Sequence, residues 1–355
     1  MSAFSWELVK DAFLLNVNDI FENLKNYSLD QLKADVQNPE RLLEFYKSTD
    51  ALVLAIAAMI TLVLIHCAMG ELTRDYSQVD RAWSILPAAY AWHFAFHDYL
   101  NRTSFHPRLL LAAVLISIWG TRLTYNFARK GGYGWQGRDY RFVYIQEKIG
   151  NVGMALLNFV FIGPFQDTLL LLMCTPLYLN TLEPLSSQGA LNRVDVLASG
   201  LFLSLLLFEV IADDQQFMFQ TRKHALLDYL GHGNKDKLKG DYKRGFICSS
   251  GLWQYSRHPN FFAEISMWWS VYLFSVAAHA QATLKDNHGV VDWMDPKLYL
   301  NWTVVGAFIL TMLFQGSTWL TEYISAEKYP EYKNYQKSVN RFIPWFPQRQ
   351  KSKTS

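Results

Sequence analysis

The sequence predicts an all-α protein, a polytopic membrane bundle of about seven transmembrane helices with a lumenal amino terminus and a cytosolic carboxyl terminus. Three observations carry this. Several apolar windows approach the roughly 20 residues a helix needs to cross a bilayer. Of the 355 residues, 51% are hydrophobic and 15% aromatic, with 12 tryptophans, while only 18% are charged, against about 25% in an ordinary globular chain. Lysine and arginine, finally, are spread unevenly between the two sides that the windows define. The net charge of +2 excludes nucleic acid as the main partner.

In chain order, residues 1–50 lack the short apolar core and cleavage site of a signal peptide. Their stretch FLLNVNDIFENL is amphipathic and suits the membrane surface or the flank of a bundle. Residues 51–347 form the membrane domain. Ala51–Met69 carries no formal charge on any face, which a soluble amphipathic helix would not tolerate. Ala82–Leu100, Leu109–Phe127, Met154–Asn180 (interrupted by Gly163-Pro164), Val194–Phe219, Phe261–Ala282 and Leu298–Leu320 are the further predicted spans. Residues 348–355 are a basic tail. Cys67, Cys174 and Cys248 are too few and too apolar in setting for a disulfide framework.

With seven spans, ten lysines and arginines fall on the amino-terminal side and 22 on the other, Arg122 lying inside a span, of 33 in all. The excess makes the carboxyl-terminal side cytoplasmic. The triplets starting at Asn26, Asn101 and Asn301 are of the glycosylation type and fall on the opposite side. The ending Lys351-Ser-Lys353-Thr-Ser355 reads as a retrieval address to the endoplasmic reticulum, an address read by a receptor and not an anchor.

The chemistry-bearing residues gather on the cytoplasmic side. YSRHPNFFAEISMWW (Tyr255–Trp269) sets Arg257 and His258 before Pro259, a natural first helical residue. A helix entry with free amides and added donors suits phosphate. Asn260 and Glu264, four apart, share a face, and an amide and a carboxylate there suit a cofactor's amide or ribose hydroxyls, with Trp268 and Trp269 as flat surfaces below. An acid at that depth is costly and reads as functional. Glu209 and Asp213 repeat the four-residue spacing, Asp214 adjoins, and Lys243, Arg244 and Arg257 are their expected partners. In TRLTYNFARKGGYGWQGRDYR, Arg122 and Tyr125 are expected to point into one cavity, the tyrosine as proton donor. Asp80 either takes part or simply pairs with Arg81. No metal site is expected: His93 and His97 stand four apart with no second histidine box, so a di-iron oxygenase is disfavoured. Glu322 closes the last span, and the tyrosines and basic residues that follow look like a cytosolic lid.

GLWQYSRHPNFFAEISMWW, with EKYPEYKNYQKSVNRFIPW some sixty residues on, resembles the carboxyl-terminal region of the steroid 5-alpha-reductase family, and is closest to a poorly characterised branch with a QVDRxWS opening. Sterol reductases and isoprenylcysteine carboxyl methyltransferases share the arginine-histidine-proline signature. The resemblance spans roughly Gln78 to Pro347. It implies a seven-helix bundle that holds NADPH in a cytosolic-side cavity, chiefly within residues 209–347, and reduces a carbon–carbon double bond of a lipid entering from the bilayer. Carried over, Asp213, Tyr255, Asn260, Glu264, Glu322 and Tyr329 are cofactor contacts, and Tyr125 is the donor. The steroid reductases have a glutamate early in span two; here the nearest carboxylate is Asp80, a departure that bears on steroid specificity.

The expected activity is therefore an NADPH-dependent reductase of the endoplasmic reticulum membrane. Arg257, His258 and the loop lysines would hold phosphates, Asn260, Glu264 and Asp213 would orient the cofactor, and Tyr125 would deliver a proton tuned by Asp80 or Arg122. A methyltransferase using S-adenosylmethionine is the alternative, and a non-catalytic scaffold the third class.

Overall fold

A computed structural model describes residues 28–134, 137–182, 191–231, 236–286 and 291–347, together with Lys10, residues 14–19 and Glu22. Asn26 and the Lys351–Ser355 address lie outside the described residues, as do Phe13, Ile20, Phe21, Asn23 and Leu24 of the amphipathic stretch. Among the described residues every regular element is helical.

Helix starts follow the capping residues. Ser28 and Gln31 form a reciprocal box at the start of α1 (Leu29–Val36), and Asn38-Pro39 opens α2 (Pro39–Ser48). Asp50 accepts from the Leu52 amide at 2.8 Å and begins α3 (Ala51–Thr73). Each satisfies amides that a helix start leaves unpaired. Then come α4 (Gln78–Ala82), α5 (Leu86–Arg102), α6 (Pro107–Arg129) and α7 (Tyr140–Leu157), with α8 (Gly163–Thr181) after a π turn at Asn158–Ile162. Last are α9 (Arg193–Leu230), α10 (Gly240–Arg244), α11 (Pro259–Asp286), α12 (Val304–Lys328) and α13 (Tyr332–Ser338).

The protein is a polytopic helical membrane protein. Among the described residues six helices are long and apolar enough to cross a bilayer: Ala51–Thr73, Pro107–Arg129, the composite Tyr140–Thr181, Arg193–Leu230, Pro259–Thr283 and Val304–Lys328. The sequence predicted seven. The segment expected as the second is α5, whose 17 residues rise only about 25 Å. Pro87 in its first turn sets its start. It packs against α3, α6 and α8, and its histidines are engaged within the protein. His93 and His97 meet the carbonyls of Ala51 and Thr49 at 2.8 and 2.9 Å, and Tyr46 of α2 meets His93 at 2.8 Å. The end of the amino-terminal segment is thereby docked on the bundle.

Gly163-Pro164 does not break the chain as the sequence suggested. The π turn absorbs the irregularity, as such turns do, and Asn158 fixes it by donating to the Cys67 carbonyl and to Glu71, both at 3.1 Å. Gly163 lets α8 approach α3 closely: a Cβ there would stand 2.5 Å from the Cys67 sulfur, the small-residue contact typical of membrane helices.

The chain divides into two units, Met1–Gly200 with Trp269–Ile309, and Leu201–Trp268 with Leu310–Ser355. The first holds polar contacts between distant residues that the sequence reading missed. Arg108 grips Asp195 through two hydrogen bonds of 2.6 and 3.1 Å and Asn180 through one of 3.2 Å. His66 pairs with Asp167 at 2.9 Å. The second unit builds its core from Phe246, Tyr332, Tyr335 and Val339, and from Phe219, Ile247 and Trp253.

Candidate functional site

In the second unit the loop before α11 is fastened on two sides. Gly251 adopts a left-handed backbone, and the Gln215 side chain occupies the place a Cβ would take, 2.2 Å from it. Gln215 accepts from the Leu252 amide at 2.8 Å, and the Trp253 indole donates to the Ala212 carbonyl at 3.1 Å. On the other side the chain after α13 runs along Tyr255–His258. The amides of Arg257 and His258 donate to the carbonyls of Asn340 and Arg341 at 2.9 and 3.0 Å, and the Trp345 amide donates to Tyr255 at 2.9 Å.

Glu322 of α12 closes this arrangement. Its carboxylate accepts from Arg257 Nε at 2.6 Å and Nη2 at 3.1 Å, from His258 Nε2 at 3.0 Å and from Gln336 Nε2 at 3.0 Å. Arg257 Nη1 donates to the carbonyls of Gln336, at 3.0 Å, and Val339. Four of the five guanidinium N–H donors are thus spent. All three side chains at the centre are buried. Burial holds the His258 imidazole below its ordinary range, with Glu322 opposing that shift; the network assigns it as a neutral ring donating through Nε2. Arg257 and His258 therefore do not stand open to phosphates as expected. They fasten the tail to α11 and α12, and Glu322 belongs to the same staple.

Asn260 and Glu264 face a different seam. Asn260 Nδ2 donates to Asp213 Oδ1 at 3.2 Å, and the Phe208 and Phe262 rings lie 6.2 Å apart. Numbers rise along α11 as they fall along α9, so the helices run antiparallel. Glu209 and Glu264, each one turn from the Asn260–Asp213 pair in the same direction, stand level with one another. Glu264 accepts from the Trp268 indole at 2.9 Å, and Glu209, Asp213 and Glu264 are all buried. Two amide oxygens, Asn260 Oδ1 and Gln216 Oε1, are buried with no hydrogen-bond partner among the described residues. Buried acceptors are rarely left so, and what they lack is a donor.

The remaining predicted contacts act by packing. The Tyr329 ring fills the space beside Gly245, where a Cβ would stand 2.2 Å from it, and lies under Lys223 and Lys328 at 5.9 and 5.4 Å. Tyr255 sets its ring edge-on to Phe346 at 6.0 Å. Arg244, an expected partner of the helix acids, instead pairs with Asp241 at 3.0 Å and Glu331 at 3.2 Å. Burial pushes Asp241 up, but the amides of Cys248 and Ser249 outweigh it and hold the carboxyl below its ordinary value.

The residues put forward for proton transfer lie in the first unit. Tyr125 is 66% exposed and lies under Arg129 at 5.5 Å, not in a shared cavity with Arg122. It continues an outward stripe of Val114, Ile118 and Thr121, whereas Arg122 is half-buried. Arg81 pairs with Asp75 at 2.7 Å, not with Asp80. Asp80 Oδ2 is buried with no hydrogen-bond partner among the described residues. Burial, partly offset by Arg141, pushes this carboxyl up to about 7. Of the three candidates, Asp80 alone has surroundings suited to exchanging a proton near neutral pH. Among the described residues no group of three or more His, Cys, Asp or Glu side chains could hold a metal ion.

A family model described as "Protein of unknown function (DUF1295)" matches residues 66–339. An uncharacterized protein of Schizosaccharomyces pombe is 34% identical over 322 residues, covering 90% of this chain and 87% of that one. No solved structure matches.

Proposed function

The chain belongs to the DUF1295 family, and we propose that it is an NADPH-dependent reductase of a carbon–carbon double bond in a lipid drawn from the bilayer. The observation that carries this reading is the unpartnered Asn260 Oδ1 beside Asp213, one turn from Glu264. A carboxamide N–H2 or a ribose hydroxyl supplies the donor that this acceptor lacks, and a nucleotide cofactor has both. The resemblance of the Tyr255–Trp269 stretch to the steroid 5-alpha-reductase family supports the same assignment. Asn260, Asp213 and Glu264 would hold the nicotinamide and ribose end, with Gln216 as a further acceptor. NADPH, when bound, supplies the hydride. The apolar helices around the seam exclude water and strengthen each hydrogen bond made there. We place the carboxyl-terminal side in the cytosol and the protein in the endoplasmic reticulum on the basic-residue asymmetry and the terminal lysine pair.

One observation favours a second reading. Arg257 and His258, which the phosphates would require, are engaged within the protein. S-adenosylmethionine has ribose and adenine donors and no phosphate, so a lipid methyltransferase makes fewer demands on these residues.

Purified protein in detergent, titrated with each ligand, separates the two. NADPH is expected to saturate the wild type, with Glu264→Gln weakening binding at least about tenfold, or 1.4 kcal/mol. Saturation by S-adenosylmethionine without any response to NADPH sinks the reductase. Silence toward both leaves a non-catalytic scaffold.

A further inference from the structure

The chain after α13 ends its described course in Val339-Asn-Arg-Phe-Ile-Pro-Trp-Phe-Pro347. Val339 is buried in the tyrosine cluster with Phe246, Tyr332 and Tyr335. Beyond it the pattern inverts: Ile343, Trp345 and Phe346 are 65%, 66% and 75% exposed. Three large apolar side chains within four residues form a contiguous patch, which a water-facing segment avoids. The patch is not on a frayed end. Asn340, Arg341 and Phe342 accept through their carbonyls from the Arg257 amide, the His258 amide and the Ser256 hydroxyl, at 2.9, 3.0 and 2.6 Å, and the Trp345 amide donates to Tyr255. The backbone is held while the three side chains stay largely exposed, Phe346 touching Tyr255 with its ring edge-on at 6.0 Å.

Its position identifies what it faces. The residues that hold the strap, 255–258, immediately precede Pro259, the first residue of the membrane helix α11, so the strap lies where that helix leaves the bilayer. Glu322, which grips Arg257, is flanked on α12 by Trp319 and Tyr323, exposed and stacked at 5.9 Å. Exposed tryptophan and tyrosine at a helix end mark the headgroup layer. Arg341, with its side chain 39% exposed, opens a basic run that continues in sequence with Arg349, Lys351 and Lys353. We propose that the strap Arg341–Pro347 is an interfacial membrane anchor. Ile343, Trp345 and Phe346 enter the headgroup–acyl boundary on the side where α11 begins, and Arg341 meets anionic headgroups. The carbonyls that fasten Arg257 and His258 thus belong to a segment the lipid surface itself holds.

The test uses the full chain in nanodiscs of mixed neutral and anionic lipid. Trp345→Cys is made in a Cys248→Ser background, Cys67 and Cys174 being buried, and labelled with a small fluorophore. A label at Glu331→Cys, where the native side chain is 62% exposed, serves as the aqueous control. Phe346→Cys is the second variant should the first misfold. The strap label should be quenched several-fold more by lipid carrying a nitroxide near the acyl carbonyls than the control is, and several-fold less by aqueous iodide. A higher anionic fraction should strengthen the lipid quenching. Iodide access equal to the control overturns the anchor. So does protection from both quenchers with label–label proximity, which would mean that a second copy covers the patch.

Discussion

Two polar clusters lie within a few residues of each other at the start of α11, and they differ in one respect. Around Glu322 each carboxylate oxygen and four guanidinium N–H groups have partners inside the protein. In the α9–α11 seam the buried Asn260 amide oxygen has none among the described residues, and neither has the buried Gln216 amide oxygen of α9. A saturated network supports structure and has little left to offer a ligand. An unsaturated one keeps the cost of desolvation standing until a ligand relieves it. Sequence spacing suggested a single site running from Arg257 to Glu264; the hydrogen bonds divide it into a staple and a seam.

The largest expected effect tests the staple. Glu322→Ala leaves Arg257 buried without its counter-ion, a change that typically costs about 3–5 kcal/mol. Arg257→Lys should cost nearly as much, because one ammonium cannot reproduce a bidentate grip on the carboxylate and two bonds to carbonyls. Both should show as a large fall in the thermal midpoint in detergent and as early proteolysis of the strap after Val339. If Glu322→Ala melts like the wild type, the staple is not structural and the comparison fails.

Much of this was legible in the sequence, but only as far as composition and local spacing reach. The apolar lengths gave the membrane helices, and Pro259 marked a real start. The acids and amides of the seam were found because four-residue spacing places side chains on one face whatever the fold. What spacing cannot give is a partner far along the chain. Arg257 and Glu322 are 65 residues apart, and Arg108 and Asp195 are 87 apart. An arginine beside a membrane helix reads the same whether it is open or gripped. Tyr125 was misplaced for a different reason. A helix repeats every 3.6 residues, so a residue three on from Arg122 crosses from the sheltered face onto the Val114–Ile118–Thr121 stripe, a stripe itself visible as apolar side chains at that spacing. The shortness of α5 was hidden because its window was judged by hydropathy, while Pro87 fixes where the helix can begin.

Asp80 carries the comparison into the first unit: its buried Oδ2 has no hydrogen-bond partner among the described residues, and its charged neighbours are Arg141, Asp139, Asp75 and Arg81. Its carboxyl rises from an ordinary 3.8 to about 7 in the folded protein, so the folded state holds the proton more tightly than the unfolded one. The contribution is favourable at low pH and is lost as pH climbs from about 4 to about 7, by up to about 4 kcal/mol, with no further change above. Relative to Asp80→Asn, the thermal midpoint of the wild type should therefore fall over that window, a comparison in which the opposing contribution of His258 cancels. A difference between the two proteins that does not change with pH there contradicts the assignment. In the seam itself, Asn260→Leu deletes both the unsatisfied acceptor and the donor to Asp213, so it should cost about 1–3 kcal/mol of stability while weakening the nucleotide at least about tenfold. A loss of stability with unchanged nucleotide affinity would make Asn260 part of the staple's class.

The smallest effect is the most exacting. Thr318 lies on α12 between Phe314, whose ring meets Phe261 at 4.8 Å, and Glu322, one turn from each. Its side chain is fully buried, and its hydroxyl has no partner among the described residues. Thr318→Val keeps the shape and deletes the hydroxyl. If that group is merely an unmet polar atom within the packing, the variant gains up to about 1 kcal/mol and binds ligand unchanged. If the seam's ligand reaches α12, stability still rises but affinity falls several-fold. Paired melting and titration of this one variant therefore locate the edge of the unsaturated region, and a loss of stability would place Thr318 with the saturated staple.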